Sequence, residues 1–164
     1  MGKLMVVQDD PVQGTDKHNV SGNATNPSAP PPTVPYTGVG SYVYAGKMTD
    51  SLSTFVKIGG TPVALVTSKS SLNPGETAPP TGGHSAPTGS GFTPPSPAPI
   101  PLSLSITDVI GTGVPNSAAG SALLTIGGIK VLLDGDKIDT CDGLGTTGNS
   151  TVTAVGQAFV SCSA

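Results

Sequence analysis

The chain has 164 residues, 10% of them charged, a net charge of −3 and no Trp, which suits one domain with few large side chains for a deep core. Its 23 Gly and 17 Pro interrupt any long helix, so a helix-rich fold is disfavoured. The seven basic residues are scattered Lys with no Arg, which argues against a nucleic-acid surface built on bidentate phosphate or guanine contacts.

The opening residues Met1 to Asp10 carry an apolar run too short for a Sec signal peptide. No run approaches the roughly 20 apolar residues of a transmembrane helix. The expectation is a chain made in the cytoplasm that leaves, if it leaves, by another route. Leu4 to Val7 reads as a first strand ended by Asp9-Asp10-Pro11, and a polar stretch containing His18 follows. Pro27 to Pro35 reads as an extended polyproline-like connector with little propensity for a sheet interior. Val39 to Tyr44 predicts a strand with Tyr42 and Tyr44 on one face.

Phe55 to Val66 (Phe-Val-Lys-Ile-Gly-Gly-Thr-Pro-Val-Ala-Leu-Val) resembles Leu123 to Asp134 (Leu-Leu-Thr-Ile-Gly-Gly-Ile-Lys-Val-Leu-Leu-Asp). A Gly-Gly pair between two apolar runs signals a two-residue hairpin, because primed turns need positive φ. The two copies predict a repeated β construction. Between them lies Asn73 to Pro101, dominated by Pro, Gly, Ser and Thr, and loops of that length are functional or disordered. Leu102 to Ile106 alternates with period two, as a half-buried strand does. Ser117 to Leu124 has room for a helical turn that Gly120 weakens, and Val152 to Cys162 reads as one or two final strands.

His18, His84, Cys141 and Cys162 are all the His and Cys of the chain. Imidazole nitrogen and thiolate suit a structural zinc ion, and an ion joining such distant points would stabilise a thin core. Their spacing matches no zinc finger. Two other readings stand beside this one: a Cys141–Cys162 disulfide, suited to an extracellular protein, and His residues that are simply solvated. Asp134-Gly135-Asp136-Lys137-Ile138 fails as a calcium loop, since Ile138 holds the fifth position and Gly145 the twelfth. Gly83-His84-Ser85-Ala86-Pro87 lacks the final Gly, the preceding strand and the following helix of a nucleophile elbow. No motif gives positive support for an enzyme.

Several of these features coincide in one family. Val7 to His18 (Val-Gln-Asp-Asp-Pro-Val-Gln-Gly-Thr-Asp-Lys-His), the hairpin Val56 to Ala64, and Leu132 to Cys141 with its Gly-Asp then Cys together resemble PAAR and PAAR-like proteins. That family forms the spike tips of bacterial contractile injection systems: type VI secretion, phage tail-like and extracellular contractile particles. The resemblance implies an all-β fold, a small cone of β-hairpins with approximate threefold pseudo-symmetry. The cone spans residues 1–164 as one domain, with Pro/Gly-rich loop insertions near 23–38 and 73–101. It implies a non-enzymatic tip that caps and sharpens a trimeric VgrG-like or phage spike protein, aids membrane puncture and carries effector cargo. It also implies assembly at the particle tip, release outside the cell, transient contact with the target membrane and one structural zinc ion. His18 and Cys141 fall on positions matching the family's His and Cys motifs, and His84 and Cys162 complete the set by elimination. The family's usual site is richer in His, and the Pro-rich insertions depart from its minimal pattern. The alternative reading is a surface-exposed adhesive or binding module held by the Cys141–Cys162 disulfide.

Overall fold

The computed structural model describes residues 2–25, 33–72, 100–107, 112–140 and 147–162. Among them there is no helix, and the fold is all-β. The strands are β1 (Lys3–Leu4), β2 (Pro11–Thr25), β3 (Thr33–Asp50), β4 (Lys57–Ile58), β5 (Thr61–Pro62), β6 (Lys69–Leu72) and β7 (Ile100–Ile106). They continue with β8 (Val114–Pro115), β9 (Thr125–Ile126), β10 (Ile129–Lys130), β11 (Lys137–Asp139), β12 (Ser150–Val152) and β13 (Ser161–Cys162).

Both Gly-Gly hairpins form, as β4–β5 and β9–β10. Gly59 and Gly60 have φ of 59° and 87°, and Gly127 and Gly128 have 60° and 83°, so each turn takes the two consecutive positive φ values that side chains with a Cβ resist. A third pairing of the same kind joins β1 to β13, with Lys3 opposite Cys162 and Leu4 opposite Ser161. The two Gly-Gly copies therefore have a third counterpart divided between the two ends of the chain.

The strand leaving each hairpin enters a closed ring. Val6 N–H donates to Leu132 O at 3.0 Å, Leu132 N–H to Ala64 O at 3.0 Å, and Ala64 N–H to Val6 O at 2.9 Å. The bridges Met5↔Leu133, Val7↔Val63 and Leu65↔Val131 follow the same cycle. Each segment then turns on a short polar side chain. The N–H groups of Val7, Leu65 and Leu133 donate to Asp10 Oδ2 (2.7 Å), Ser68 Oγ (2.9 Å) and Asp136 Oδ2 (2.8 Å). Short acceptors three residues on stabilise such turns at little entropic cost.

Alternation along the ring splits the core in two. Val6, Ala64 and Leu132 point into one cluster with Val12, Tyr44, Met48, Ile138 and Val152. Their neighbours Met5, Val7, Val63, Leu65, Val131 and Leu133 point into the other, with Ile58 and Ile126 from the hairpins. Each fully buried side chain of this size contributes about 1.5–3 kcal/mol. Two thin clusters sharing one ring can thus hold a chain that has few aromatics.

The first cluster lies within a larger sheet ordered β6-β3-β2-β12-β11-β8, with β7 also paired to β2. A bridge between Ser70 and Gly113, carrying hydrogen bonds of 2.8 and 3.1 Å, closes that path on itself. Tyr44 reinforces the closure: its hydroxyl lies 2.7 Å from Ser70 Oγ and accepts the Gly113 N–H at 3.3 Å. Tyr42 and Tyr44 are both buried on one face of β3, as their spacing predicts.

Two expectations need correction, and a stretch that the sequence left without an assigned structure proves to be a strand. The polar stretch after Pro11 is a strand of 15 residues, because pairing with β3 along its whole length satisfies its backbone whatever its side chains. Pro35, read as part of the connector, lies within β3 opposite Asn23, where β3 has no second neighbour among the described residues and loses nothing by lacking an N–H. Residues 117–118 form a turn rather than a helical segment, and Gly120 at φ 91° directs the chain away from a helix. The remainder of the Pro27 connector and residues 73–99 of the long loop lie outside the described residues.

Candidate functional site

Two features rise above ordinary surface and core. The first is a set of exposed apolar side chains. Phe55, Leu123 and Phe159 are 71%, 74% and 73% exposed, and each occupies the same place in its segment. They stand two residues after Ser53, Ser121 and Gln157, whose side chains cap the bend before the hairpin. Ser53 Oγ accepts the Val56 N–H at 3.0 Å, Ser121 Oγ the Leu124 N–H at 3.0 Å, and Gln157 Oε1 the Val160 N–H at 2.8 Å. The caps fix the backbone, so the apolar residue at the bend is held outward.

Neighbouring segments are in close contact around this set. A Cβ placed on Gly59 would lie 3.9 Å from Phe159 Cζ, so the Phe159 ring reaches the adjacent hairpin turn. Ser121 Oγ and Cys162 Sγ are 3.3 Å apart. Exposed apolar residues scattered singly are common and carry no meaning. Their recurrence at one position of three hydrogen-bonded segments is a pattern, and exposed apolar surface of that kind marks contact sites.

The second feature lies on β2. Val12, Asp16 and His18 are buried along one face, while Gln13, Thr15, Lys17 and Asn19 are exposed. The buried face thus passes from apolar to ionisable within seven residues. Asp16 and His18 are each 2% exposed, with His18 Nε2 3.5 Å from Asp16 Oδ2. The Tyr42 ring meets the imidazole edge-on at 5.5 Å between centroids. Asp16 Oδ1 is buried with no hydrogen-bond partner. The pair sits where β2 changes neighbours: β12 accompanies it from Val12 to Gly14 and β7 from Val20 to Thr25.

Of the four residues singled out in the sequence, His18 is buried in this seam. His84 and Cys141 lie outside the described residues, and with them both the Cys141–Cys162 pairing and the four-residue metal set. Cys162 belongs to the β1–β13 pair, in a different sheet from His18, and packs against the second cluster. It stands where the other two hairpins carry Ile58 and Ile126.

A buried carboxylate oxygen without a hydrogen bond, beside an imidazole, fits the needs of a cation. Among the described residues no group of three or more His, Cys, Asp or Glu gathers to hold one. Sequence reasoning missed Asp16, whose only signal was its spacing of two from His18 on one strand face. It also missed the exposed triplet, legible only in aligning Ser53-Thr54-Phe55-Val56, Ser121-Ala122-Leu123-Leu124 and Gln157-Ala158-Phe159-Val160. No protein-family model, curated protein or solved structure matches this chain.

Proposed function

We propose that this chain is a PAAR-like spike tip, a non-enzymatic cap that sharpens the trimeric central spike of a bacterial contractile injection system. The observation that carries the reading is the set Phe55, Leu123 and Phe159, exposed at one position of three cyclically bonded segments. A single chain that meets a trimer end-on must offer the same contact three times, or two of the three spike chains are left unsatisfied. The ring of Val6, Ala64 and Leu132 supplies that multiplicity and supports the expected threefold pseudo-symmetry of a small conical fold.

In this reading the base is the surface bearing the three apolar residues, and burial of those side chains against the spike drives docking. Each would contribute about 1.5–3 kcal/mol if fully covered. The buried Asp16–His18 seam of β2 is where one structural zinc ion would bind in this reading. The ion would draw together strands that have little core. Assembly on the particle, delivery through a target membrane and carriage of effector cargo follow from the same reading.

The test is binding of the purified chain to a trimeric β-helical spike, measured by calorimetry. Replacing Phe55, Leu123 and Phe159 together by Ser is expected to weaken binding at least a hundredfold while leaving the thermal transition in place. Equal affinity in the triple variant would refute the docking surface.

A further inference from the structure

We infer that the outward face of β11, β12, β2 and β3 is a contact surface for an anionic membrane, carried by Lys17, Lys47 and Lys137. The inference rests on the proposed passage through a target membrane for its setting, and its test needs no spike.

The depth of the charges comes first. The chain has a formal net charge of −3, yet its two signs are separated by depth. All seven Lys are exposed, and among the described residues none of them forms a salt bridge. Of the seven described Asp, only Asp9 and Asp50 are exposed. The other five carboxylates are engaged within the fold. Asp10 accepts N–H bonds from Val7, Val155 and Gly156, Asp136 from Leu133 and Gly120, and Asp134 from Ala154. Asp139 is held by the Asn116 amide and the Gly148 N–H, and Asp16 faces His18. The outer layer of the described fold is therefore more positive than the sequence total. Salt screens exposed charges beyond about 8–10 Å, so the difference acts at contact rather than as long-range attraction.

Placement comes second. The pairs Lys137↔Thr151, Thr151↔Gln13, Thr15↔Val43, Lys17↔Ser41 and Pro11↔Lys47 put the three lysines on one side of four consecutive strands. Asp16 and His18 are buried on the opposite side of β2. Asp139, at the rim of the face on β11, is the carboxylate already bonded to Asn116 and Gly148, and Asp50 stands at the end of β3 opposite Lys69. At about 4.8 Å between strands and about 3.4 Å per residue, the three lysines are roughly 15–20 Å apart along the backbone surface. Charges so far apart cannot converge on one small anion. They suit anions that are themselves spread over a plane.

Composition comes third. Gln13, Thr15 and Val43 fill the space between the lysines, and the face carries no aromatic among its described side chains. Protein interfaces are depleted of Lys and are held by buried aromatic or Arg anchors, which this face lacks. A layer of anionic headgroups needs no such anchor, so a membrane surface is the occupant that the face fits.

The experiment sediments the purified full chain with vesicles of equimolar phosphatidylglycerol and phosphatidylcholine, or of phosphatidylcholine alone, at low ionic strength. The wild type is expected on the anionic vesicles only, and added salt should release it. A lysine at an anionic surface is worth about fivefold in binding, so Lys17→Gln, Lys47→Gln and Lys137→Gln together should weaken it roughly a hundredfold. Lys17→Arg, Lys47→Arg and Lys137→Arg together should bind as wild type, which separates lost charge from lost folding. Lys3→Gln, Lys57→Gln and Lys130→Gln together remove the same charge from the three hairpins and should leave most of the binding in place. Equal binding to both vesicle types, equal loss in the two Gln variants, or no binding by the wild type would each overturn the inference. A Lys17, Lys47 and Lys137 variant that loses spike binding and keeps vesicle binding would assign the face to a protein instead. Failure to bind a spike with vesicle binding intact would strike the docking reading alone.

Discussion

Replacing Asp10 by Ala tests whether the turns that close the ring hold the fold. Asp10 is fully buried, and its two oxygens accept N–H bonds from Val7 at 2.7 Å, Val155 at 2.8 Å and Gly156 at 2.7 Å. One carboxylate therefore ties the first turn of the ring to the segment that leads into β13. Hydrogen bonds to a charged group are worth about 1.5–3 kcal/mol each, and a buried donor left unsatisfied costs about 1–3 kcal/mol. The Val155 and Gly156 donors are only partly buried, so water replaces some of what they lose. A net loss of about 3–5 kcal/mol is expected for Asp10→Ala, a large share of the 5–15 kcal/mol that stabilises an ordinary domain. Asp10→Ser should recover part of it, since Ser68 makes the corresponding turn with a hydroxyl. Urea unfolding, followed by circular dichroism, gives the midpoint and the slope. The reasoning is refuted if Asp10→Ala unfolds within about 1 kcal/mol of wild type at unchanged slope.

Gly120→Ala should destabilise by several kcal/mol, because its φ is 91° and an added Cβ would lie 2.5 Å from Val66 Cγ1 and 2.9 Å from Lys130 Cβ; thermal unfolding reads the shift. Tyr44→Phe should cost about 1–3 kcal/mol by removing the hydroxyl partner of Ser70 Oγ and the second acceptor of the Gly113 N–H, which keeps Ser70 O; thermal unfolding reads the loss. Leu132→Ala should cost about 2–5 kcal/mol as a cavity at the ring, measured by denaturant midpoint. Cys162→Ile should leave stability within about 1 kcal/mol or raise it, since Ile58 and Ile126 fill the same position in the other hairpins.

The parts legible in the sequence are those that one short window contains. Gly59-Gly60 and Gly127-Gly128 announce their hairpins because positive φ leaves few choices of residue. Tyr42 and Tyr44 announce a common face through period two alone. The third counterpart was hidden because its halves, Gln157 to Cys162 and Lys3 to Asp10, stand at opposite ends of the chain and meet only through pairing. The strand character of residues around His18 was hidden for a different reason. Their polarity suggests a loop, yet the backbone of β2 is satisfied by β3, and its inward polar groups form a seam rather than a core. Cys162 entered the expected metal set on scarcity of ligands, and nothing in its window revealed that it fills an isoleucine site.

The central claim is that one chain presents the same apolar contact three times, through Phe55, Leu123 and Phe159, to a threefold partner. Native mass spectrometry of the chain mixed in excess with a trimeric β-helical spike tests it most directly. The expected species holds one copy of this chain on three spike chains, however large the excess. Three copies per trimer, or no complex, would contradict it.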